Sequence, residues 1–279
     1  MWIEVGKDVN VERPIAVVNI SIAGGTPQVT SCRVIVDVGL RAKLTLIEGH
    51  YDRGESYAAN ILTQIRLAAN ANLQYVRMVS GLTLATHIGR TTVIQEQNSN
   101  LVALAVSKGS KFVRHDFQVI TAGAGAEVSL FGAYVLKGQQ HLDNHTFIEH
   151  RVGNTKSRQI YRGVLTDQAR AVFNGKVLID QGANGADSSQ LAKHMLMSSQ
   201  AEVDAKPELI VHADDVKATH GASVGQINPE EVFYLRSRGI DQQTAEQMLS
   251  LGFVTDGLFA ISHLPTRQWL LAEMTKEMP

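Results

Sequence analysis

The sequence predicts a mainly β protein that ends in a small helical unit. Three observations carry this reading. A period of two dominates from Ile15 to Gln226, in short runs rich in Val, Ile and Thr. Gly, Asn and Asp separate the runs, as at Gly123-Ala124-Gly125 and Gly182-Ala183-Asn184-Gly185. At Asn228 the period changes to that of a helix, behind a cap residue, a proline and two acids.

The first observation rests on runs such as Cys32–Val38, Leu44–Ile47, Val102–Val106, Val128–Leu130, Gln159–Tyr161 and Lys176–Ile179. About 200 residues built this way make a sandwich, a barrel or a solenoid. Tight Asn-Gly hairpins are few and no exact repeat stands out, so periodicity alone stops at a large all-β domain. Tyr57–Ala71 interrupts the pattern with Ala58, Ala59, Ile61, Leu62, Ile65 and Leu67-Ala68-Ala69, and reads equally as a helix or as two short strands. The second observation makes Asp143-Asn144 another turn.

The helical unit begins at Asn228-Pro229-Glu230-Glu231, is predicted to run to Arg238, and stops at Gly239. Asp241 caps a second helix that places Ala245, Met248 and Leu249 on one face and is expected to end near Gly252. Weaker helical signals follow at Leu258–His263 and, beyond Pro265, at Trp269–Met274. The division is thus 1–227 for the β domain and 228–279 for the helices.

Composition narrows the function. Hydrophobic residues make up 44% and charged residues 19% of the 279, which is enough apolar material for a large core. Twenty-six basic residues against 27 acidic ones, a net charge of −1, lack the basic excess of a nucleic-acid binder. No apolar run reaches the roughly 18 residues of a spanning helix. The start, Met1-Trp2-Ile3-Glu4-Val5, has no signal-peptide pattern. With one cysteine, Cys32, an internal disulfide is impossible, and a cytoplasmic protein is expected.

Candidate chemistry is sparse. His141, His145, His150 and Glu149 are metal-ligand types close in sequence, but the Asp143-Asn144 turn breaks the helix face that would unite His141 with His145, and hydrogen bonding to turns and strand ends is the preferred role. Asp214 and Asp215 are adjacent, and on a strand would point to opposite faces, so they do not flank a glycosidic bond. No nucleophile elbow, phosphate loop or dinucleotide fingerprint is present; Gly123-Ala124-Gly125-Ala126 lacks the Lys-Ser or Lys-Thr of a phosphate loop. His220 lies in a polar segment at the domain boundary, and Cys32 reads as a small apolar strand residue.

A more specific signal runs through the second half. Asp143-Asn144-His145-Thr146, Thr155-Lys156-Ser157-Arg158-Gln159 and Tyr161-Arg162-Gly163-Val164-Leu165 occur in order. Ala169–Lys176, Ala201–Leu209, Ala213–Lys217, His220-Gly221-Ala222 and Phe233–Ile240 follow. This series, spanning about Arg114 to Gly252, resembles the SufB/SufD family of iron–sulfur cluster assembly proteins. His220–Gly225 and Leu235-Arg236-Ser237-Arg238 resemble its SufD branch.

The resemblance implies a right-handed parallel β-helix, a C-terminal helical domain and a non-catalytic scaffold role in the SUF complex. It implies pairing through the β-helix, with a SufB-like subunit or with itself. It also implies docking of the SufC-type ABC ATPase on the C-terminal helices, for which Phe233, Tyr234 and Arg236 are the candidate anchors; Phe233 reads equally as core. His220 matches the family's interface histidine in cluster assembly and is a candidate iron ligand. No cofactor is expected to stay tightly bound to this chain alone; an iron–sulfur cluster, or iron, would sit transiently at the dimer interface. Two departures stand out: Ala218 occupies a position where many SufD proteins have cysteine, and strands begin where the family usually has a helical region. The rival readings are a β-helix polysaccharide lyase or hydrolase and a structural homodimer without cluster chemistry.

Overall fold

A computed structural model describes residues 1–22, 28–53, 57–81 and 84–278; of Arg53 the backbone alone is described. Consecutive strands alternate between two parallel sheets of eight strands each, counted among the described residues. The odd-numbered sheet holds β1 (Trp2–Val5), β3 (Gln28–Val38), β5 (Tyr57–Leu67), β7 (Thr86–Gln95), β9 (Phe112–Thr121), β11 (His141–His150), β13 (Arg170–Ile179) and β15 (Glu202–Val211). The even-numbered sheet holds β2 (Ile15–Ile22), β4 (Lys43–Arg53), β6 (Asn72–Gly81), β8 (Asn100–Gly109), β10 (Glu127–Leu136), β12 (Lys156–Leu165), β14 (Ala186–Leu196) and β16 (Val216–Gln226). Every strand pairs with the strand two before or two after it, so the chain winds as a parallel β-helix.

The repeat lies in the turns. Arg41, Asn70, Asn98, Gly125, Asn154 and Gly185 all have positive φ, from 54° to 75°, a conformation that Gly and Asn adopt at least cost. Each is followed by a small residue buried in the coil: Ala42, Ala71, Ser99, Ala126, Thr155 and Ala186. Neighbouring turns continue the backbone ladder, with Asn70 N–H donating to Gln97 O at 2.8 Å and Asn154 N–H to Asn184 O at 2.9 Å. Register partners lie between 26 residues apart (Thr86 with Phe112) and 33 apart (Trp2 with Ile35). That slippage is why no repeat of fixed length is visible in the sequence.

Inward positions alternate along each strand. The lumen is filled by apolar side chains such as Val34, Leu46, Leu73, Leu101, Val119, Leu130 and Phe173. Polar groups are buried among them. Glu48 accepts hydrogen bonds from Thr63 and Tyr75 and faces His50 at 2.9 Å; Tyr57 meets His87 at 2.5 Å; Thr91 meets His115 at 3.0 Å.

Three expectations are corrected. Tyr57–Ala71 is neither a helix nor two strands: Tyr57–Leu67 is one strand whose alternate residues fill the lumen, and only Ala68–Ala71 turns. Asp143-Asn144 is not a turn but the middle of β11, where pairing to β9 and β13 on both sides overrides local turn propensity. Asp214 and Asp215 lie in the bend between β15 and β16 rather than on a strand.

The helices follow directly. Asn228 Oδ1 accepts from Glu230 N–H at 2.9 Å and opens α1 (Pro229–Ser237), which ends before Gly239 at φ +87°. Asp241 Oδ1 accepts from Thr244 N–H at 3.0 Å and opens α2, which passes Gly252 to end at Thr255 (Gln242–Thr255). A 3₁₀ turn (Asp256–Ala260) and α3 (Leu264–Thr275) complete the chain. Val254, Leu258, Ile261, Leu270 and Met274 pack on the outer face of the even-numbered sheet, against Val76, Met78, Leu104, Val106, Ala133, Val135 and Val164. Those strands are therefore apolar on both faces, as in Leu101–Val106. Lys108 fastens α3 through Glu273 at 2.7 Å, and Arg162 fastens the 3₁₀ turn through Asp256 at 2.9 Å. Among the described residues no helix is long and apolar enough to cross a membrane.

Candidate functional site

The last coil, β15 and β16, is the outermost strand of both sheets at once. Among the described residues no further coil stacks on it, and His220, Ala222 and Val224 of β16 are exposed. Register fixes which way they face. Ala218, His220, Ala222 and Val224 pair with Ser188, Gln190, Ala192 and His194 of β14, all buried in the lumen. In-register neighbours of a parallel ladder share a face. His220 therefore extends the inward row Gln159–Gln190 at the open end of the solenoid.

The floor beneath His220 is polar. Thr146 Oγ1 donates to Gln159 Oε1 at 2.7 Å, and Tyr134 OH meets His194 Nε2 at 2.5 Å. Burial lowers the His194 pKa to about 4 and raises that of Tyr134, so the pair is neutral at pH 7. Gln159 Nε2, both amide atoms of Gln190 and His194 Nδ1 are buried without a hydrogen-bond partner among the described residues.

The C-terminal helices present a second, apolar feature. Phe233 and Tyr234 are 72% and 58% exposed, and Arg236 is exposed beside them on α1. Phe233 is thus not core: α1 turns Val232 inward and packs mainly on α2. The Arg238 guanidinium stacks on Tyr234 at 5.3 Å. Met248, Phe259, Leu264 and Leu271 add further exposed apolar surface on the same helical segment.

Other candidates are not brought to this end. Cys32 lies on β3, its Sγ donating to Asn19 Oδ1 at 3.2 Å, and burial raises its pKa. Six steps of about 4.8 Å, roughly 30 Å, separate β3 from β15. His141, His145 and His150 do not form one site. His141 packs edge-on against Phe112, and His145 meets Asp143 at 2.7 Å on the outer face; His150 is buried between Thr155 and Ser157 at 2.7 and 2.8 Å. Among the described residues no three His, Cys, Asp or Glu side chains come together to hold a metal. On the outer face of the odd-numbered sheet, a groove lined by Arg90, Asp116, His145, Lys176 and Glu208 has its carboxylates engaged: Asp116 by Arg114 at 3.1 Å, Glu208 by Lys206 at 2.5 Å.

Residues 20–253 match the family model described as SUF system FeS cluster assembly, SufBD core domain. The chain belongs to the SufBD family. Among curated proteins it is 30% identical to the iron-sulfur cluster assembly protein SufD of Escherichia coli over 270 residues, 96% of this chain and 64% of that protein. It is 30% identical to a SufBD family protein of Synechocystis over 258 residues, covering 89% and 56% of the two chains, and 27% identical to SufD of Bacillus subtilis over 259 residues, covering 91% and 58%. The likeness is to the SufD branch. The chain spans less than two thirds of the length of each of these relatives.

Sequence reasoning missed Gln190 and His194 as partners of this end of the SufBD core. Their signal was the turn ladder: counting five residues on from the Asn154, Gly185 and Asp215 turns brings Gln159, Gln190 and His220 into one row.

Proposed function

We propose that this chain is a non-catalytic, cytoplasmic scaffold subunit in iron–sulfur cluster assembly. It pairs through the last coil of its β-helix with a SufB-like subunit or a second copy of itself, and offers α1 and α2 to a SufC-type ABC ATPase. The observation that carries this reading is the open last coil with His220 on its inward row. β15 and β16 present unpaired backbone edges, the arrangement by which one sheet is extended by another. A partner seated there covers His220 and completes its surroundings.

Iron or a nascent cluster is the cargo of this interface. Clusters are commonly held by about four thiolates, and one cysteine at the far end of the solenoid cannot supply them. His220 contributes one imidazole nitrogen and the partner the remaining ligands. Exposed Phe233, Tyr234 and Arg236 suit helix-in-groove docking, in which a few side chains at helical spacing anchor the contact.

The test is co-purification, followed by light scattering of the purified chain mixed with a SufB-like subunit and an ABC ATPase. A ternary complex is expected. A self-paired chain that ignores the ATPase would replace this reading with that of a structural homodimer, and carbohydrate cleavage would replace it with an enzyme.

A further inference from the structure

We propose that Gln190 is a positioning residue for His220, an inference that rests on the reading of His220 as an interface ligand. The two are register partners on β14 and β16, one coil apart on the same inward face, at the ladder spacing of about 4.8 Å. Gln190 is 3% exposed, yet neither Oε1 nor Nε2 has a hydrogen-bond partner among the described residues. A buried amide with both ends unmatched is costly, and persists where something else answers it. The amide is also given its space deliberately by the coil: Gly175, across the lumen on β13, is the position where any side chain would run into Gln190 Nε2.

The neighbours leave Gln190 as the acceptor at this end. One coil deeper, Gln159 has its oxygen occupied by Thr146; on β14 itself, Ser188 already accepts from Ser157 at 2.8 Å, and His194 lies beneath Val224, four residues along from His220. Ala192 and Ala222, the next pair along the row direction, carry no polar atom. An imidazole that binds metal through one nitrogen needs the N–H of the other held by an acceptor, which sets the tautomer and aims the ring. The bond is not made in this structure, where His220 is exposed; with its ring turned inward, Gln190 Oε1 accepts that N–H from inside the lumen. The second ring nitrogen of His220 is thereby turned outward, unprotonated, toward the partner.

The experiment reads the ring nitrogens of His220 in the full chain at pH 8, by long-range proton–nitrogen correlation after nitrogen-15 histidine labelling. His220→Asn assigns the signal. One dominant tautomer is expected in the wild type. Gln190→Met, close in volume, should return the ring to a mixture of tautomers, Gln190→Glu should restore the single one, and Gln159→Met should leave it unchanged. A tautomer mixture already present in the wild type, or populations that Gln190→Met does not alter, overturns the inference, and the wild-type measurement stands even if the variant fails to fold. Cluster yield on the complex with a SufB-like subunit separates the two readings. Gln190→Met should lower it by about 10- to 100-fold, the usual cost of removing an outer-shell partner. A His220→Ala variant that assembles clusters normally sinks the ligand reading; a His220→Ala failure alongside an unchanged tautomer in Gln190→Met sinks the positioning role alone.

Discussion

Tyr134 of β10 lies in register with Gly163 of β12, and its ring fills the space where a side chain at 163 would stand. Two residues earlier the order reverses, with Gly132 beneath the ring of Tyr161. Each tyrosine covers the glycine of the neighbouring coil, and both rings are fully buried. Gly163→Ala or Gly132→Ala should therefore overpack the lumen and cost about 1–3 kcal/mol, read as a lower urea midpoint. Wild-type stability in both variants would mean that the rings yield without strain.

Phe233→Ala, Tyr234→Ala and Arg236→Glu remove exposed groups, so each should change folding stability by less than about 0.5 kcal/mol. Capture by the ATPase should nevertheless weaken tenfold or more for at least one of the aromatics, since such anchors commonly carry about 2 kcal/mol or more. Undiminished capture in the triple variant would refute docking on α1. Point variants are preferred to deleting residues 228–279, which would strip the apolar cover from Val76, Met78, Leu104 and Val106.

His220→Ala should leave the fold intact and sharply reduce cluster yield in the reconstituted complex, because an exposed side chain on the outermost strand contributes little packing. Cys32→Ser should matter much less, since β3 is at the far end of the solenoid. The reverse pattern would move the chemistry to the N-terminal end.

Acid should destabilise the β-helix through its lumen. Burial lowers the pKa of His150 and His194 to about 4 and that of His87 to about 3, and lowers His50 and His115 as well. The unfolded chain takes up these protons near 6.5 while the folded chain does not, so stability is full above pH 6.5 and falls as the pH drops toward 4. The slope approaches about 1.4 kcal/mol per pH unit for each histidine. Glu48 acts in the same direction. Its burial alone would raise its pKa, but hydrogen bonds from His50 and Tyr75 and the charge of Arg77 hold it below the usual value. Urea unfolding at pH 7.5, 6 and 5 measures the trend; a flat profile would contradict it.

The amino-acid sequence alone determined the β-to-helix switch, because its causes are local. The Asn228 cap, Pro229, Gly239 and the Asp241 cap act within a few residues, and each does so here. The alternation of inward and outward residues was legible for the same reason, as was the ordered motif series that ends at His220 and α1. Tertiary structure decided the rest. Tyr57–Leu67 is a strand because two neighbouring coils pair with it, and Asp143-Asn144 stays extended because β9 and β13 hold it so. Whether Phe233 is core or surface depends on which face of α1 meets α2, and short helical patterns do not carry that information. The pairing of His220 with Gln190 is likewise a contact across 30 residues of chain. It exists only because the backbone ladder stacks one coil on the next, a long-range order that no local preference encodes.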